Sequence, residues 1–193
     1  MRRVPRIFAA KILLALVLPS VTGCMSFQYP HYAVSMENIE SLQSLNQSLL
    51  NKSKLGVGDF SSYKPGKNSE SCRAAQITTP DGGPFEIYIK NALIEELGMA
   101  GIYSEESGLR ISGRLDKIES SSFGSGWFLI KMSFVIAAGN DPLAIESIQT
   151  FSASWEAPKA CRRMEEAFVL SVQDLLGKLF IHPEFRKALR AAK

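Results

Sequence analysis

The chain has 193 residues, 46% of them hydrophobic and 21% charged, the length of one domain and enough apolar material to bury a core. Its formal charge of +3 comes from 22 basic and 19 acidic residues, but Arg2, Arg3, Arg6 and Lys11 all crowd the N-terminus. The remaining 18 basic residues against 19 acidic ones give −1, which removes the positive footprint of nucleic-acid binding and gives no average attraction to anionic lipid.

Behind Met1-Arg2-Arg3-Val4-Pro5-Arg6 comes an apolar run from Ile7 to Pro19. A basic start, a short apolar run and a small-residue exit predict a secretory signal over residues 1–23. The run is shorter than the roughly 20 residues a spanning helix needs, and the arginines hold its start on the cytoplasmic side. The exit, Val21-Thr22-Gly23-Cys24, is an aliphatic residue, two small residues and a cysteine. It resembles the lipobox of bacterial lipoproteins. The other reading is a plain secretory signal with Cys24 left over. The resemblance implies cleavage between Gly23 and Cys24, diacylation of the Cys24 thiol and acylation of the new amino group. Two or three chains make a stable membrane anchor where one binds reversibly. In lipoproteins of diderm bacteria an Asp after the cysteine marks inner-membrane retention. Met25 stands there, so the resemblance implies the inner face of the outer membrane, facing the periplasm.

Lipidation consumes Cys24 and leaves Cys72 and Cys161. An even pair in an oxidising compartment predicts a disulfide; two unpaired buried thiols are the alternative. The bridge would close a loop of about 90 residues, to which chain-entropy models assign roughly 4–5 kcal/mol.

Residues 24–52 are expected to be a lipid-anchored tether with a possible short helix, because Leu42, Leu45 and Leu49 fall at helical spacing among Ser, Asn and Gln. Residues 53–181 are expected to be the folded domain. Leu55, Val57 and Phe60 mark a first strand, and Ser61 to Ser71 is a Ser-, Lys-, Gly- and Pro-rich loop. A second short strand fits within Cys72 to Thr78, before the turn Pro80-Asp81-Gly82-Gly83-Pro84. Phe85 to Met99 is a helix with Phe85, Tyr88, Ile89, Ala92, Leu93 and Leu97 on one face. Leu109, Ile111, Gly113 and Leu115 then alternate with Arg110, Ser112, Arg114 and Asp116, a half-buried strand. A Ser/Gly link over 120–126 leads to a strand from Trp127 to Ala138, and Gly139-Asn140-Asp141-Pro142 turns the chain into a last strand from Ile145 to Trp155. A helix from Pro158 to Phe180 carries Cys161, Met164, Phe168, Ser171, Val172, Leu175 and Leu179 as a stripe. Residues 182–193 are expected to be a helical tail. The order β-(β)-α-β-β-β-α predicts an α+β two-layer sandwich, a mostly antiparallel sheet with helices on one face.

Leu55-Gly56-Val57-Gly58-Asp59-Phe60, Tyr88-Ile89-Lys90-Asn91-Ala92-Leu93 leading to Ala100-Gly101-Ile102-Tyr103, and Ile111-Ser112-Gly113-Arg114-Leu115 resemble small periplasmic lipoproteins of the YajG type. They are similar also to the wider group with a TolB-N-terminal-like fold, which includes outer-membrane assembly lipoproteins, transport-auxiliary lipoproteins and activators of peptidoglycan synthases. The resemblance covers about residues 54 to 180. Its motifs are packing motifs, so it implies a fold more than a task.

Chemistry-bearing patterns are sparse. His31 falls in the expected tether and His182 precedes Pro183, so surface histidine is the plain reading. Gly124-Ser125-Gly126 lacks the outer glycines of a nucleophile elbow and reads as a hairpin turn. Gly56-Val57-Gly58 lacks a Gly-Lys-Ser/Thr continuation and reads as close strand packing. The doublets Glu95-Glu96, Glu105-Glu106 and Glu165-Glu166 read as solvated faces, since neighbouring helix positions point about 100° apart. No catalytic residue, metal site or cofactor is expected. Trp127, Trp155, Arg162 and Arg163 are the candidates for a partner surface, Trp being enriched at binding hot spots. The function expected is a non-enzymatic outer-membrane lipoprotein acting in binding or assembly with an envelope protein partner. The alternative is an auxiliary subunit of an envelope lipid or solute transporter.

Overall fold

The computed structural model describes residues 27–48, 54–73, 75–136 and 141–191. The expected signal, Gly23 and Cys24, and the turn residues 139 and 140 lie outside them. The elements are β1 (Phe27–Gln28), α1 (Met36–Ser48), β2 (Gly56–Ser62), β3 (Ser69–Cys72), β4 (Ala75–Thr78), α2 (Phe85–Met99), β5 (Arg110–Ser121), β6 (Ser125–Ile136), β7 (Leu143–Ser152), α3 (Ala157–Ile181) and α4 (Pro183–Ala191).

The larger sheet runs β2-β5-β6-β7. β5, β6 and β7 form the expected antiparallel meander, while β2 joins β5 in parallel. The fold is thus the expected α+β sandwich, with α2 and α3 packed against this sheet. The alternation of β6 shows why. Phe128, Ile130, Met132, Phe134 and Ile136 turn inward and are 0–2% exposed, while Trp127, Leu129, Lys131 and Ser133 face out. α3 answers with Met164, Phe168, Val172, Leu175 and Leu179, all at 0%. Phe168 is the centre of the core: the rings of Tyr29, Phe85, Tyr88 and Phe128 lie 4.4, 5.4, 4.8 and 5.2 Å from its own. Gly113 is needed on β5 because a Cβ there would come within 2.6 Å of the Phe60 ring. Gly58 likewise lies against Ser112 of the neighbouring strand, at 2.5 Å for an added Cβ, which is the close packing read from Gly56-Val57-Gly58.

A second sheet, β1-β4-β3, was not expected as such. β3 takes its first three residues from the segment read as the loop 61–71. Its residues Ser69-Glu70-Ser71-Cys72 carry no apolar alternation, and the strand exists because it pairs with β4. β1 takes the other edge of β4, parallel, with Phe27 opposite Ile77. Residues 27–48 therefore belong to the folded unit and do not act as a free tether. Tyr29 is 1% exposed, and Ile39, Leu42 and Leu45 of α1 are buried against α2 and α3. The C-terminal tail is packed too, since Phe185 and Leu189 are at most 1% exposed and the Phe185 ring lies 5.7 Å from that of Phe180.

Two smaller expectations change. The link over 120–126 shrinks to the turn Ser122-Phe123-Gly124, with Gly124 at φ 60°, a value that favours glycine. The last strand ends at Ser152, so Trp155 lies in the connection to α3 and not on a strand. Arg73 and Arg163 donate to the carbonyls of Ser154 and Ser152 there, holding the chain off the sheet.

Cys72 and Cys161 form the expected disulfide, with Cα atoms 5.6 Å apart. It ties the end of β3 to the second turn of α3.

Candidate interaction surface

The turn between β3 and β4, the turn between β5 and β6 and the connection from β7 to α3 meet at one end of the molecule. Arg73, just past Cys72, has φ 55°, a left-handed backbone uncommon outside glycine. Its guanidinium stacks 4.0 Å from the ring centre of Phe123 and its Nη2 donates to the Ser154 carbonyl at 3.0 Å. One side chain thus holds all three segments together. Arg–aromatic stacking of this kind contributes about 0.5–1 kcal/mol at an exposed site. Around it, Phe123 is 63% exposed and Trp155 101%. α3 begins here, and Arg162 and Arg163 directly follow the bridged Cys161. Arg162 is exposed. Glu165 is half-buried, which raises its carboxyl pKa above the ordinary value, with Arg162 opposing and Glu166 adding.

Three of the four surface candidates, Trp155, Arg162 and Arg163, therefore share one end. Trp127 lies on the outer face of the large sheet, opposite Ser121 on β5 and Thr150 on β7. Beside it Leu129 pairs with Ile148, which is 50% exposed. Lys131 and Glu146 continue that face with an ion pair of 2.5 Å. Arg73 escaped the sequence reading, and Phe123 entered it only as a member of the Ser/Gly link over 120–126, a possible contributor to the surface. Their signal was an aromatic residue alone in a Ser/Gly turn and a basic residue beside a cysteine, which no periodicity rule singles out.

A second arrangement was also missed. Glu96 is 0% exposed, so the reading of Glu95-Glu96 as a solvated doublet fails at its second member. Its Oε1 accepts from the Tyr32 hydroxyl at 2.5 Å, the Ser35 N–H at 2.9 Å and the Asn38 Nδ2 at 3.2 Å. Asn38 also donates to the Gln173 carbonyl at 3.0 Å. One carboxylate thus pins the start of α1 to α2, and Asn38 pins it to α3. Burial, then the bond to Glu96, raises the Tyr32 hydroxyl well above its usual pKa, which keeps it a donor. Beside this pin a cleft is lined by His31, Asp81, Tyr88, Asn91 and Glu95. Burial and the Glu96 charge raise the Glu95 pKa, with His31 opposing. His182 is elsewhere, between α3 and α4, where its Nδ1 accepts from the Glu184 N–H at 3.3 Å. Among the described residues no group of three or more His, Cys, Asp or Glu is placed to hold a metal ion. No helix among them is long and apolar enough to cross a membrane.

The sequence matches no protein-family model and no curated protein. Among solved structures it is similar to a Xanthomonas campestris protein of family DUF330, at 11% identity and a TM-score of 0.46, over 66% of this chain and 84% of that one. An uncharacterised protein is similar at 8% identity and a TM-score of 0.45, over 80% of this chain and 99% of the other.

Proposed function

We propose that the chain is a lipid-anchored, non-catalytic protein of the bacterial envelope, held at the outer membrane through Cys24 and acting in the periplasm as a binding or assembly factor. The observation that carries the reading is the Cys72–Cys161 bridge, because such bonds persist in oxidising, extracytoplasmic compartments. It agrees with the lipobox at Val21-Thr22-Gly23-Cys24. Two of the carboxylates drawn out of solvent are engaged in structure: Glu96 by three donors, Glu70 by Lys67. What the chain offers a partner is surface, in the aromatic–basic end and the outer sheet face.

The test is Cys24→Ser with cell fractionation. The variant is expected to keep its signal and to be missing from the outer-membrane fraction. If it stays with membranes and is still cut after Gly23, the anchor reading falls. Separating inner from outer membranes on a density gradient checks the address, and recovery solely with the inner membrane would contradict it. Capture of partners from detergent-solubilised envelopes then divides the roles. A transporter subunit would favour the auxiliary-lipoprotein alternative, and a cell-wall synthase an assembly factor.

A further inference from the structure

We propose that the end of the molecule carrying Arg73, Phe123, Trp155 and Arg162 lies against the anionic phospholipid surface in which Cys24 is anchored. The inference rests on the lipid-anchor reading above and adds an orientation to it.

The chain direction is the first support. β1 runs parallel to β4, with Phe27 opposite Ile77 and Gln28 opposite Thr78. Followed backward from Phe27, the register heads toward the start of β4 and so toward the turn at Arg73. Only residues 25 and 26 stand between Phe27 and Cys24, a reach of roughly 10 Å. The anchor therefore lies within that reach of Phe27, whose partner strand β4 starts at this end.

The side chains there suit a headgroup layer. Trp155 is 101% exposed and Phe123 63%, bare rings that water solvates poorly. At a membrane–water interface the apolar body of a Trp and its polar N–H are both accommodated. Residues 153–166 hold Lys159, Arg162 and Arg163 against Glu156, Glu165 and Glu166, and Arg73 adds one positive charge from the β3–β4 turn. This end is therefore net positive by one charge where the chain past its N-terminal basic run carries −1, and only charges within about a Debye length of the lipid feel it. The stack of Arg73 on Phe123 and its bond to Ser154 hold the two segments in place beforehand, so docking orders little further chain.

The chain has two tryptophans, and Trp127→Phe leaves Trp155 as sole reporter. The lipidated protein carrying that change is reconstituted into vesicles of phosphatidylethanolamine and phosphatidylglycerol, with and without lipids brominated near the headgroup. Flotation reads the anchor and Trp155 emission reads the orientation. The expected result is co-flotation with a blue-shifted Trp155 that the bromines quench. Arg162→Glu should lower the ratio of docked to undocked protein by at least roughly fivefold, the effect of about one basic charge near such a surface. Co-flotation with Trp155 emitting as in water overturns the orientation and leaves the anchor standing. If Trp155 becomes shielded only when a second envelope protein is added, the end is a protein-binding surface and the proposal is wrong. Failure to float removes both the anchor and the orientation.

Discussion

Glu70 sits on β3 with its side chain 13% exposed and Lys67 as its ion-pair partner. Burial raises its carboxyl pKa above the ordinary value, Lys67 opposes and Glu119 adds to the rise. A raised folded-state value means that the folded protein retains a proton the unfolded chain has already released. Stability therefore falls as pH climbs from the ordinary carboxylate value through the raised one, and the full benefit is present only below that window. Glu70→Gln removes this contribution, so the variant should lose less stability than the parent between about pH 4 and pH 7 in urea denaturation. Equal losses would show that another group sets the slope. Nothing in Ser69-Glu70-Ser71 announced this. The sequence shows an acidic residue in a polar stretch, and its burial comes from strand pairing with β4 and from the neighbouring sheet.

At the scale of elements, α1 is held by polar groups as much as by its leucines. Glu96 serves three donors from Tyr32, Ser35 and Asn38. Gly177 on α3 leaves room for Asn38, whose Oδ1 would lie 2.6 Å from an added Cβ. Glu96→Ala strands the buried donors, and a loss of roughly 3–5 kcal/mol is expected. Hydrogen exchange should speed up across Met36–Ser48 more than in α3. Uniform exchange in both helices would mean that the pin is not what fixes α1. The stripe of α2 and the alternation of β6 were legible because each element's period matches its buried face. α1 was only half legible, and β1 not at all. A two-residue strand has no period to read, and a carboxylate that binds a distant helix looks like any surface glutamate.

At the scale of the whole molecule, the bridge joins positions 89 residues apart and fastens the small sheet to α3. Cys72→Ser or Cys161→Ser should each cost about 2–5 kcal/mol, and the double variant should be no worse than either single one. Chemical denaturation of the three proteins decides this, and additive losses would mean two independent thiol contributions. The β5-β6-β7 meander, the helices α2 and α3 and the cysteine pair were legible, because composition, spacing and compartment all bear on them. The end formed by Arg73, Phe123 and Trp155 was not, since it exists only once three turns from distant parts of the chain are brought together.

The first strand and helix lean on the last long helix: Asn38 reaches a carbonyl 135 residues further along the chain, and Tyr29 packs on Phe168. Such contacts cannot form while the chain is still emerging N-terminus first. Until α3 arrives, Tyr29 and Leu42 are only partly covered, and the loop to be closed spans 135 residues. High contact order of this kind slows folding and prolongs the exposure of sticky intermediates. The segment made first is thus locked last, so the vulnerable interval of a new molecule lasts until α3 is in place.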